Sequence, residues 1–451
     1  AQGPQGPQGA AGPAGSSSAT ASVSGVEPAS AFLARKSHVT VSGYATSWTD
    51  KTTLDFGAGV TVANVHAASP TALVADITID KAAALGVRDV VVTDGANKET
   101  YKQAFTVTAP AVVTMEGALA QGAIVIANVE LQDQSTPFDT TGSQDPFTGA
   151  VTYTNLNLAT PAGVTGIIES ATSNNVQLLL TIDVDADTKA ADFDLLSGAA
   201  GDPTDVEFPV PGALTVAART AVALAAQPAS GTIKTAYDSA LYSYTPGGAT
   251  SIVDLTATSA VSGANAGFAL LPKSGHFADL LGFFQAANGA TTSATTTLVP
   301  TTADPYYAIY WDNSGTVGDY TMGATSTTPA ATAPTTANDG SKPNAVVATA
   351  LPFVLTGGNL TDTTSQDWVK VTLAANTTLR VTTAGDVLND IVVTLYANDG
   401  TTTVGGGAVE TGGPVDTTFP VTTAGTYYVV FSAGIFFDPT HGTYDAALRL
   451  Q

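Results

Sequence analysis

The densest run of chemistry-bearing side chains is Asp183-Val184-Asp185-Ala186-Asp187. Read as a strand, it alternates, so Asp183, Asp185 and Asp187 share one face, where three like charges favour a hard cation with oxygen ligands. No cofactor is otherwise expected; calcium is the one candidate, held weakly. The run is no EF-hand loop, because Thr188 stands where glycine is needed and no glutamate closes it. The competing reading is a solvated strand end or turn that binds nothing. The four histidines, His38, His66, His276 and His441, are scattered, and none falls in a His-Glu-x-x-His arrangement. No Gly-x-Ser-x-Gly elbow and no phosphate loop occurs. Cysteine is absent, which excludes disulfides and thiolate metal sites. The sequence reads as that of a protein that is not an enzyme.

Two further groups could serve recognition rather than catalysis. Phe277, Leu280, Leu281 and Phe284 fall at helical spacing and make one apolar face. Such a face is tucked onto its own domain or offered to a neighbouring subunit. Trp48, Trp311 and Trp368 are the residues from which an aromatic platform could be built, with Trp368 expected in its own core.

The elements that position these groups are strands. Of 451 residues, 44% are hydrophobic but only 12% charged, fewer than helical surfaces need. Short runs rich in threonine and valine, broken by Gly, Pro, Asp and Asn, give an all-β signature. A chain of this length divides into several domains. Asp and Glu outnumber Lys and Arg by 38 to 15, a net charge of −23, which repels nucleic acid and anionic membranes. No apolar run is long enough to span a bilayer as a helix.

Residues 1–17 carry Gly3, Gly6, Gly9, Gly12 and Gly15 at every third position. This resembles a collagen repeat of five triplets, in which only glycine fits the crowded axis of three wound chains. At ~3.1 Å per residue the rod is roughly 45 Å long and would not trimerise unaided. It therefore reads either as a triple helix assisted by the domains behind it or as a semi-rigid spacer. Because the chain opens on this repeat, a leader already removed is expected.

Residues 18–25 are a small-residue linker, and residues 26–108 hold six or seven short alternating strands. Pro28, the Val39–Gly43 run followed by Tyr44, Leu54-Asp55-Phe56-Gly57 and Asp89–Thr93 resemble an IPT/TIG domain. That resemblance implies an immunoglobulin-like spacer or interaction module. Residues 109–219 read as a second sandwich of no assigned family. Residues 344–451 carry Asp367-Trp368, Leu395-Tyr396 before Asp399-Gly400, and Ala424-Gly425-Thr426-Tyr427-Tyr428. These resemble the bacterial pre-peptidase C-terminal domain, a jelly-roll-like sandwich of secreted proteins. Residues 220–324 look like a diverged copy of it, and 325–343 read as a Thr/Ala/Pro-rich linker.

The expectation is tandem antiparallel sandwiches, immunoglobulin-like and jelly-roll-like, behind a short collagen-like segment. The function it implies is that of an extracellular or cell-surface structural subunit of a bacterial fibre, assembling with itself as a homotrimer or filament. Gly3, Gly6, Gly9, Gly12, Gly15, Phe277 and Phe284 are its candidate assembly residues. The alternative is a secreted adhesive or polysaccharide-binding module.

Overall fold

The run Ala123 to Val129 is apolar at nearly every position, which suits a strand covered on both faces. A computed structural model of the protein places it so. Ala123, Val125, Ala127 and Val129 face the core of their own sandwich, while Ile124 faces the next one. The structure describes residues 19–145, 149–198, 206–225, 228–246, 251–285, 292–299, 304–335, 340–385, 390–408, 415–434 and 437–451. The collagen-like glycines lie outside them. Among the described residues the regular elements are strands and three short 3-10 turns. The protein is all-β, a tandem of antiparallel sandwiches.

Each sandwich closes on its own core. The first joins two four-stranded sheets around Leu33, Phe56, Leu73, Ile77 and Phe105. Its strand Ser22–Glu27 pairs along Lys36–Tyr44, so residues read as linker up to Gly25 belong to a sheet edge. The second packs Asn175–Ile182 and Ala123–Leu131 over Ala190–Ser197 and Val206–Thr215, around Leu178, Phe193 and Phe208.

The third and fourth sandwiches share one strand order. In the third, one sheet runs Val222–Ala223, Ser239–Tyr244, Tyr306–Asp312, Ala266–Leu271, Gly282–Gln285. The fourth repeats that order as Val346–Val347, Gln366–Leu373, Gly425–Ala433, Ile391–Tyr396, Thr403–Ala408. In both, the first short strand pairs in parallel with the second. The opposing sheets also correspond, and the fourth sandwich adds one edge strand, Ala331–Pro334, pairing in parallel with Phe353–Asn359. Part of the 325–343 stretch is therefore sheet rather than linker. Its proline sits at the strand's end on an edge, where a missing N–H costs little.

One local device recurs in both. The ring of Tyr320 lies against Gly231, and that of Tyr444 against Gly358; a Cβ at Gly231 would come within 2.5 Å of the ring and one at Gly358 within 2.4 Å. Tyr320 also stacks on Tyr310, and Tyr444 packs on Phe431. The Tyr444 hydroxyl donates to Asp367 at 2.6 Å, whereas Tyr320 shares a 2.7 Å hydrogen bond with Tyr242. Tyr310 and Phe431 thus occupy matching positions, which fixes the correspondence of the two sheets residue by residue.

Neighbouring sandwiches meet at three different joints. Between the first and second, Arg35 donates to Asp133 at 2.7 Å and to the Glu207 carbonyl at 2.8 Å, with its guanidinium over Phe208. Between the second and third, Ile124, Leu241, Ala269, Leu271, Ile309 and Trp311 form a dry cluster. Between the third and fourth, Ile252, Val299, Val354 and Ala447 pack beside a part-buried pair, Arg449 with Asp254. At the last two joints the contact is sheet against sheet, outer face to outer face.

Candidate functional site

Strand Asn175–Ile182 stops one residue before the aspartates, and Val184 and Asp185 form a turn. The strand alternation read from the sequence is therefore not present there. Asp183 and Asp185 remain close, but the third member is His276, from the third sandwich, with the ligand atoms within 4.8 Å of one another. Asp187 turns away, accepting from the Lys189 amide at 3.0 Å and lying 3.6 Å from its ammonium. The Lys189 amide lowers its pKa most, so it stays ionised.

Within the trio the geometry is that of a clasp across the second joint. Asp183 accepts from the Phe277 amide at 2.8 Å, and Val184 donates to the Gly275 carbonyl at 3.0 Å. His276 Nε2 lies 3.2 Å from Asp185, and that hydrogen bond raises the pKa of the exposed imidazole. Two carboxylates and one imidazole depart from the six to eight oxygens that calcium takes. The other histidines are also surface partners of aspartates, His38 with Asp76 at 2.5 Å and His66 with Asp50 at 2.9 Å. The His441 side chain lies outside the described residues.

The Phe277–Phe284 segment is not a helix with one apolar face. Phe277–Asp279 is a single 3-10 turn, and Gly282–Gln285 is a strand at the sheet's edge. The change of conformation splits the four apolar residues. Phe277 and Leu280 pack into the joint with the second sandwich, while Leu281 and Phe284 pack onto the third sandwich's own core. Most of the apolar surface offered for a neighbouring subunit is taken up inside this chain, leaving Phe283, 45% exposed, facing out.

The three tryptophans have three different fates. Trp48 is buried in the first core, and Trp311 in the dry joint. Trp368, expected in its own core, is instead half-buried on the outer face of the last sheet. Strand parity explains this: Asp367, Val369 and Val371 point inward, so Trp368 and Lys370 must point out. Its ring stacks on Tyr396 at 5.9 Å and 12°, and meets Tyr428 edge-on. The Trp368 Nε1 donates to Gln366 at 3.1 Å. Lys342 lies over the Tyr428 ring at 5.2 Å and donates to the Asn398 carbonyl. The Asp-Trp pair was legible as a motif, but which of its members faces solvent was a question of register.

No protein-family model matches the sequence. A search of curated proteins finds no relative. Among solved structures, the pre-peptidase C-terminal domain of a Bacillus anthracis collagenase aligns with 24% of this chain and 98% of its own, at 18% identity and TM-score 0.19. The Yersinia pseudotuberculosis adhesin InvE aligns over 48% of this chain and 67% of its own, at 15% identity and TM-score 0.18. The Bacteroides ovatus glucan-locus protein SGBP-B, solved with a mixed-linkage heptasaccharide, aligns over 94% of both chains at 10% identity and TM-score 0.18. At such scores these likenesses carry no weight on function.

Proposed function

We propose that this protein is an extracellular structural component of a bacterial surface, a non-catalytic subunit that assembles with itself into a fibre. The observation that carries the reading is the way its sandwiches are joined. Tandem domains that move freely meet through small polar contacts, but here the second, third and fourth are stacked sheet on sheet through buried apolar residues. Such a block holds a fixed geometry, as a subunit that transmits force or displays a domain must. The acidic composition and the resemblance of residues 1–17 to collagen support the same reading. Calcium, if it binds beside Asp183 and Asp185, is an accessory.

The test is the oligomeric state. Mass photometry of the intact chain should give trimers or larger species, and Gly9→Val should weaken assembly while leaving the sandwiches folded. A monomer at micromolar concentration would remove the fibre reading and leave the repeat a spacer. The second reading, an adhesive protein that binds polysaccharide, is favoured by the outward Trp368–Tyr396 face.

A further inference from the structure

We propose that the outer face of the sheet containing Trp368 and Tyr396 binds an acidic polysaccharide, with a sugar ring stacked on these aromatics and carboxylates at Lys370 and Lys342. This names a ligand class for the adhesive reading and does not depend on trimerisation.

The matched sheet in the third sandwich shows what a covered face carries. Register pairs Leu241, Ile309 and Ala269 across that sheet, and Trp368, Val430 and Thr394 across the fourth. In the next row, Ser243, Tyr307 and Leu271 stand where the fourth sandwich has Lys370, Tyr428 and Tyr396. The third sandwich's face is aliphatic at Leu241, Ile309, Ala269 and Leu271, and the second sandwich covers it. A face built to receive another sandwich therefore looks like that one. At the same positions the fourth sandwich carries Trp368, Thr394, Tyr396 and Lys370 around a buried Val430 and Tyr428.

That composition selects the occupant. Aromatic rings present area without demanding an apolar partner, and a few placed polar groups around them set orientation. A pyranose offers the complement: C–H bonds on one face and hydroxyls at the rim. Trp368 and Tyr396 stack on each other 12° from parallel, which holds the indole flat for a sugar face on its open side. Thr394, Ser432 and Gln366 supply hydroxyl and amide partners on the same face.

Charge narrows the class. Within a chain of net charge −23, the outward positions of the three central strands hold no Asp or Glu. They hold Lys370, half-exposed and paired with no carboxylate among the described residues, and Lys342 stands at their edge. The nearby Asp399 is closed into its own turn, accepting from the Thr401 and Thr402 amides at 2.8 Å. The ammoniums of Lys370 and Lys342 offer an anion its partners, and a uronate carboxylate suits an ammonium.

The experiment titrates the full chain, bearing Trp48→Phe and Trp311→Phe so that Trp368 alone emits, with oligogalacturonate, alginate oligomers and neutral cellohexaose. Expected is a saturable change in emission with an acidic oligomer, at least tenfold weaker with cellohexaose and weaker in high salt. Lys370→Glu, at a half-buried position, should cost at least tenfold for the acidic oligomer and little for the neutral one. Trp368→Ala, followed by calorimetry, should abolish binding while the melting profile stays cooperative. No saturable response at millimolar oligomer would overturn the proposal, as would equal affinity for the neutral glycan. Sedimentation showing that Trp368→Ala dissolves a dimer would overturn it too, by making the face a contact between copies.

Discussion

In the third sandwich the outward positions Leu241, Ile309 and Leu271 are sealed under the second, with Ile309 and Leu271 fully buried. In the fourth, Trp368 and Tyr396, matching Leu241 and Leu271, remain half-buried at the surface, while Val430, matching Ile309, is buried. Strand order and register are shared, so the difference is one of side chains alone. Aliphatic residues on an outer face commit a sandwich to a neighbour, because little but another apolar surface compensates them. Aromatic residues flanked by lysine and threonine allow the same face to stay wet. One scaffold thus serves as an internal joint and as an outer surface.

The comparison breaks most readily at the sealed face. Ile309→Asp places an unpaired carboxylate in the dry joint and should cost on the order of 3 kcal/mol or more. Chemical denaturation should then show the second and third sandwiches unfolding in separate steps, where the unaltered chain unfolds them together. Matching Trp368→Ala, at a half-exposed position, should cost about 1 kcal/mol and leave the transition single.

The joint between the third and fourth sandwiches is a mixed case. Burial alone would raise the Asp254 pKa, but hydrogen bonds from Arg449 and Thr297 outweigh it and hold the carboxylate below its usual range. A lowered pKa stabilises the folded state above the ordinary carboxylate value and loses that contribution as pH falls through the folded one. Arg449→Met strands Asp254 and should cost about 3 kcal/mol at pH 7. The difference from the parent should shrink as pH drops below about 4, read from melting temperatures across a pH series.

The first joint is polar and shows the opposite sign. Asp194 is pushed up to about 6, first by burial and then by the Glu207 charge, with Lys81 3.9 Å away as partial relief. A raised carboxyl pKa means the folded state loses stability as pH climbs from about 4 to 6. Asp194→Asn should therefore be neutral at pH 4 and stabilise by roughly 1 kcal/mol at pH 7.

Much of this was legible in sequence. The strand-and-turn texture carries the fold class, and Gly318-Asp319-Tyr320 and Gly442-Thr443-Tyr444 give the two last sandwiches one ending. What the pattern could not resolve was the second face of each strand. The run from Ala123 to Val129 announces burial on both sides without saying what lies on the far one. Phe277 to Phe284 match a helical period by coincidence, since a turn and an edge strand place the same residues in two cores. The aspartates at 183, 185 and 187 mimic a strand because nothing local marks Ile182 as its end. His276, 91 residues from Asp185, could be found only through the joint that brings them together.

The smallest expected effect is at that clasp. His276 has a raised pKa, so the stability it adds is complete below the ordinary imidazole value and fades as pH rises through the folded one. His276→Ala should flatten a slight fall in melting temperature between pH 6 and 8 and do little else.

The contrast between sealed and open faces is tested most directly by the two tryptophans that sit on them. Acrylamide quenching would be compared in two single-tryptophan chains. One keeps Trp311, through Trp48→Phe and Trp368→Phe; the other keeps Trp368, through Trp48→Phe and Trp311→Phe. Trp311 should emit at shorter wavelength and resist quenching, while Trp368 should emit further to the red and be quenched several-fold more readily. Equal accessibility of the two would mean that the second joint is open in solution, and the stacked block would not stand.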